Sequence, residues 1–258
     1  MSFAIAIRAE LLKTKRTASF WLSVLGAGFI PAIFFTAYIL KPEGSYKQLQ
    51  HAPWEAHFMW GWQAMSAFLL PMYIILICSL IPQIEYKNNT WKQVFAAPQS
   101  TGTIYFSKFL TIHLMILFCF LLFNSFMVLT GVVANALNPK FTFFNHALPW
   151  RSLLKLNVKS YISILGISAI QYAVSLRFKN FITPIGIGLG LLIAALVATQ
   201  MGWEHVYKVP YAHPVLTLDY MMRKNRPFLE NHEWNSVCYF GAFLIIGFLD
   251  LKLRKEKG

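Results

Sequence analysis

Seven histidines and three cysteines are the residues of this chain best suited to hold a metal or to carry nucleophilic chemistry. Their spacing supports neither. His51, His57, His146, His205, His213 and His232 fall outside the apolar runs, on segments that a six-span topology places on one side, yet no two stand at the H-x-x-x-H spacing that sets paired imidazoles on one helix face. His113 lies near one end of an apolar run, where a packing histidine with satisfied ring nitrogens is the plainer reading. Cys78, Cys119 and Cys238 all sit inside apolar runs and read as small packing residues, with no disulfide framework implied. The chain carries no G-x-x-x-x-G-K-[ST] phosphate loop, so nucleotide hydrolysis, if it drives this protein, belongs to another chain. Two alternative readings fit these residues. One is an integral-membrane enzyme or metal-handling protein built on the outer histidines. The other is an ATP-independent carrier, against which the absence of a clear internal repeat and of midplane charge counts.

What must position these residues is set by composition. Of 258 residues 57% are hydrophobic and 13% charged, against about 25% charged in soluble domains. The apolar runs are continuous and reach the roughly 20 residues a helix needs to cross a bilayer. They predict an all-α, polytopic membrane protein forming one domain over 1–258, with six spans at about 18–40, 58–81, 106–133, 153–176, 181–201 and 234–251. The first run is too long for a signal-peptide core and no small-residue cleavage site follows it. The net charge of +13 comes from Lys and Arg placed between and beside the runs. That placement points to orientation and anionic lipid, not to nucleic acid.

With both termini in the cytoplasm, the inner flanks hold 13 of the 23 basic residues, among them Arg8, Lys13, Lys15 and Arg16 ahead of the first span. The fourth span is the weakest. Arg151, Lys155 and Lys159 fall at i, i+4 and i+8 along one side of its start, where long basic chains can snorkel, and it begins near 153 or near 158. Between the fifth and sixth spans the segment Trp203–Glu233 is long and rich in Tyr and Pro, and 211–222 is a stretch that could dip into the outer leaflet.

Three segments carry further information. In Glu85–Gln99, EYKNNTWKQVFAAPQ, Trp91, Val94, Phe95 and Pro98 fall on one side of a short helix, with Asn88, Asn89, Lys92 and Gln93 elsewhere. The N-terminal stretch 3–16, with Phe3, Ile7 and Leu11 at spacing four and a run of basic residues, reads as an interfacial helix. In the fifth span Gly186, Gly190, Ala194 and Ala198 repeat every four residues, with Gly188 beside them. Such a stripe lets helices pack closely, within one bundle or at a chain–chain boundary or transport path.

The basic helix RAELLKTKRTASFW, with Glu10, Lys13 and Arg16, the six spans, and a first inner loop carrying Glu85, Thr90, Trp91, Pro98, Ser100 and Lys108 together resemble the permease subunit of type-2 ABC exporters, most of all the small permeases linked to bacteriocin immunity or multidrug export. The resemblance implies a transport subunit and not an enzyme. It makes 3–16, with Arg8, Glu10, Lys13 and Arg16, an elbow helix. It makes the loop after the second span a coupling helix, whose Glu85, Asn88, Thr90, Trp91, Lys92, Phe95 and Pro98 meet a separate ABC ATP-binding subunit. It further implies a second permease chain, equal or different, no cofactor on this chain with ATP and Mg on the partner, and a place in the bacterial cytoplasmic membrane. The cargo would be a lipid, a peptide or a drug-like molecule.

Overall fold

A computed structural model describes residues 3–49, 51–96, 98–221 and 227–255. Among them the regular structure is helical throughout: α1 (Phe3–Thr14), α2 (Ala18–Leu40), α3 (Pro42–Gln48), α4 (Pro53–Ala64), α5 (Leu70–Lys87), α6 (Trp91–Ala96), α7 (Thr101–Leu137), α8 (Trp150–Arg177), α9 (Ile182–Gln200), α10 (His213–Met221) and α11 (Asn231–Lys255). Six rods are long and apolar enough to cross a membrane: α2, the continuous Pro53–Lys87 formed by α4 and α5, α7, α8, α9 and α11. The chain is an all-α, multi-pass membrane protein.

The rods outrun the apolar windows of the sequence. α7 has 37 residues, about 55 Å at the helical rise, against a hydrocarbon layer of about 30 Å. Hydropathy marks only the part in lipid, and polar residues continue the helix beyond it. The α4–α5 rod contains a π-helical turn at Met65–Leu69, just before Pro71. Proline lacks an amide hydrogen and crowds the preceding turn, and a wider turn accommodates that without ending the rod.

α1, the end of α11, the α5–α7 connection and the α8–α9 turn gather at one end, the basic end, which carries most of the paired and unpaired Lys and Arg described below. The α4–α5 rod and α8 are the most buried spans, while α2, α9 and α11 are covered on one side only. α8 packs along α11 and α2 along α7. Where α8 meets α11, Ser236 Oγ donates to the Ile162 carbonyl at 2.8 Å, and a Cβ on Gly166 would come within 3.3 Å of the Ser236 carbonyl oxygen. Small and hydroxylated residues close this contact where apolar attraction between helices is weak.

The small-residue stripe of α9 divides in two. Gly186, Gly190 and Ala194 are exposed and Ala198 is half-buried, and a Cβ added at Gly186 or Gly190 would meet nothing within 4 Å. The close approach within the chain belongs to Gly188, where an added Cβ would stand 2.6 Å from Gln171 Oε1 and 2.8 Å from Ile75 Cγ2. Gly188→Leu is expected to lower stability by about 1–3 kcal/mol through overpacking, and Gly186→Leu to leave the single chain unaffected. Thermal unfolding of the two variants in detergent checks this, and equal losses would contradict the division.

The segment after α9 folds back into the bundle. Tyr211 Oη donates to Gln171 Oε1 at 3.0 Å, and Gln171 Nε2 donates to the Pro184 carbonyl at 2.7 Å. Gln171 lies less than two turns from the end of α8 at Arg177, so the segment reaches deep between α8 and α9. Irregular backbone at such depth requires partners inside the protein. The Tyr207 carbonyl accepts from His213 Nε2 and Asn235 Nδ2, both at 3.0 Å, and the Lys208 carbonyl from Tyr239 Oη at 3.0 Å. α10 then climbs back against α8 and the α4–α5 rod.

The start of α8 differs from the snorkelling expected of it. The helix begins at Trp150, Arg151 and Lys155 are exposed, and Lys159 is buried against Glu233 of α11 at 3.3 Å. An opposite charge on the neighbouring span, not the membrane surface, receives this lysine.

Candidate functional site at the basic end

The sequence that closes α5 builds the site. Asn89 adopts a left-handed conformation, φ 52°, which asparagine tolerates better than most residues. The Thr90 amide then donates to the Glu85 carbonyl at 3.0 Å, the chain reverses, and Val94 N–H bonds to the Thr90 carbonyl at 2.9 Å to start α6. Ser100 Oγ accepts from the Thr103 amide at 3.1 Å and caps α7. The turn from α1 into α2 uses the same device, with Arg16 at φ 60°, so α1 stops at Thr14 and not at 16.

Four charges from three elements meet inside this frame. Lys108 Nζ of α7 contacts Glu10 Oε2 of α1 at 2.8 Å and Glu85 Oε1 of α5 at 2.9 Å. Lys13 Nζ contacts Glu10 Oε1 at 2.8 Å and Glu85 Oε1 at 2.6 Å. Thr90 Oγ1 donates to Glu85 Oε2, and Lys108 lies 5.6 Å from the centre of the Trp91 ring, which also packs on Tyr86. Lys108 is fully buried, Glu85 and Glu10 nearly so. Burial draws the Lys13 pKa down, but the Glu10 and Glu85 carboxylates more than offset it, and the net shift is upward. Two cations face two anions, so the cluster is neutral, and it pins α1, the end of α5, the entry to α6 and the start of α7 into one block.

The residues singled out in the sequence therefore separate into two sets. Glu85, expected at a partner-facing surface, points inward, as do Glu10 and, half-buried, Lys13, Thr90 and Trp91. Asn88, Lys92, Pro98, Arg8 and Arg16 are exposed. Phe95 belongs to α6, but its side chain lies outside the described residues. The short helix is Trp91–Ala96 and does not include 85–90. On α1 the buried stripe is Ala6, Glu10 and Thr14, not the apolar Phe3, Ile7 and Leu11. Glu10 can turn inward because Lys108 awaits it, and a hydrophobic pattern carries no trace of such a pairing. Lys108 itself is the residue whose part was least visible. Its signal was a lone lysine at the threshold of a long apolar run, and ionisable groups there ask for a partner.

The histidines separate too. His57 Nδ1 bonds Tyr38 Oη at 2.7 Å and its Nε2 bonds the Met127 carbonyl at 2.9 Å; His113 bonds Tyr161 Oη at 2.7 Å and Ser168 Oγ at 3.3 Å. Both are packing residues. Among the described residues no three His, Cys, Asp or Glu are placed to hold a metal ion.

The site thus combines a multi-pass helical bundle, a buried neutral charge cluster at one end and a short helix beside it that exposes Lys92 and Gln93. The chain belongs to the ABC-2 family of transporter proteins, whose family model matches residues 6–195. It is thus a permease of the ABC class and a transport component. No curated protein and no solved structure matches it.

Proposed function

We propose that the protein is the membrane subunit of an ATP-driven exporter and that α6 is the coupling helix through which a separate ATP-binding chain moves it. The observation that carries this reading is the inward charge cluster: it fixes α6 and α1 to the ends of α5 and α7, so force applied at α6 reaches two spans directly and α2 through α1. Lys92 and Gln93 are exposed on α6 and face the ATPase. α1 serves as the elbow helix. The basic end lies in the cytoplasm of a bacterial inner membrane, by the excess of Lys and Arg there, and ATP and Mg are bound on the partner. The exposed Gly186, Gly190 and Ala194 face of α9 meets a second permease chain, identical or related, and a lipid, peptide or drug-like cargo passes between the two. A photo-crosslinker at Gln93 in native membranes is expected to capture a soluble chain that carries a phosphate loop. Capture of lipid alone would contradict the assignment of α6.

A further inference from the structure

Two cavities open at the basic end and share Tyr86 and Lys179. One, of about 580 Å³, lies beneath α6 and includes Lys92 and Arg254. The other, of about 690 Å³, lies between the first turn of α2, the last turns of α5 and the α8–α9 turn. Its apolar lining is Leu80, Ile84 and Phe181, its cations are Lys87 and Lys179, and no acid lines it.

Charge at this end is unevenly spent. Glu10 and Glu85 are held by Lys13 and Lys108, and Asp250 by Arg177 and Arg254. Lys87 and Lys179 are exposed and in no ion pair among the described residues. Asn180 Oδ1 accepts from the Thr183 amide, which leaves its NH₂ group as a donor. Two unpaired ammonium groups over an apolar floor suit a ligand that is anionic at one end and apolar at the other. The position selects further. The cavity sits where the apolar stretches of α2 and α9 begin, and Trp21, Phe181 and Ile182 are exposed beside it, as expected at the interfacial layer of a bilayer.

We propose that this cavity binds the headgroup of an anionic phospholipid, with the phosphate between Lys87 and Lys179 and an acyl chain over Phe181 and Ile182. The site does not depend on the docking role of α6, because Lys92 lines only the neighbouring cavity.

The test is native mass spectrometry of the full-length protein in detergent, titrated separately with phosphatidylglycerol, phosphatidylcholine and glycerol phosphate. Phosphatidylglycerol is expected to be retained over phosphatidylcholine. Lys87→Gln with Lys179→Gln should weaken its binding roughly thirtyfold, from the usual attraction of two surface lysines for anionic lipid, and Lys92→Gln should leave it unchanged. Thermal unfolding confirms that each variant is folded. Equal retention of the two lipids, or an equal loss in Lys92→Gln, would overturn the site as diffuse surface charge. Glycerol phosphate competing as strongly as the lipid would overturn the amphiphile in favour of a free phosphate ester. If the double variant kept its lipid but lost a soluble partner, the cavity would belong to an acidic segment of that partner.

Discussion

Lys108→Met is expected to destabilise the folded protein by about 3–5 kcal/mol, the usual cost of removing one partner from a buried ion pair. The ammonium group is fully buried and stands within 2.9 Å of oxygens from two carboxylates on different helices. Without it, Glu10 and Glu85 face each other in a low-dielectric site with only Lys13 between them. Lys13 is about one-third exposed, so its attraction is screened more than that of the buried lysine, and it offsets part of the loss. The added substitutions Glu10→Gln and Glu85→Gln should recover much of the stability, because they remove the uncompensated charge that Lys108→Met creates. Thermal unfolding in detergent reads both effects. A loss below about 1 kcal/mol, typical of exposed pairs, would mean that the cluster is solvated and does not hold α1, α5 and α7 together.

The second large effect concerns association. Lys92→Glu should weaken binding of the ATP-binding partner at least tenfold while leaving unfolding unchanged, because the side chain is exposed, reverses its charge and has no ion-pair partner among the described residues. Trp91→Ala is the less informative variant. Its ring packs on Tyr86 and lies beside Lys108, so the change also loosens the block beneath α6. A Lys92→Glu protein that binds the partner normally would remove α6 from the interface.

The six rods were legible because lipid demands continuous apolar helices and composition records them directly. The short helix after α5 was legible in outline, since Trp91 and Val94 are half-buried while Lys92 and Gln93 are exposed, as a 3.6-residue period requires, although Pro98, expected on the side of Trp91, is exposed. Its inner logic was not. Glu10 and Glu85 look like surface acids until Lys108, 98 and 23 residues away respectively, is brought between them. The same holds for Lys159 and Glu233, and for Tyr211, whose partner Gln171 is 40 residues earlier. Each pairing joins distant residues across helices, and a periodic pattern within one helix cannot encode it. Gly188 hid for a related reason, since Gly186 and Gly190 form the more regular stripe but the close neighbour, Ile75, lies on another rod.

The most direct measurement is affinity purification of the full-length protein from native membranes in mild detergent, followed by mass spectrometry of what remains bound. The expected result is a stoichiometric soluble chain with a phosphate loop, retained by the wild type and lost from Lys92→Glu. A homogeneous preparation without any ATPase, stable and correctly folded, would contradict the account at its centre.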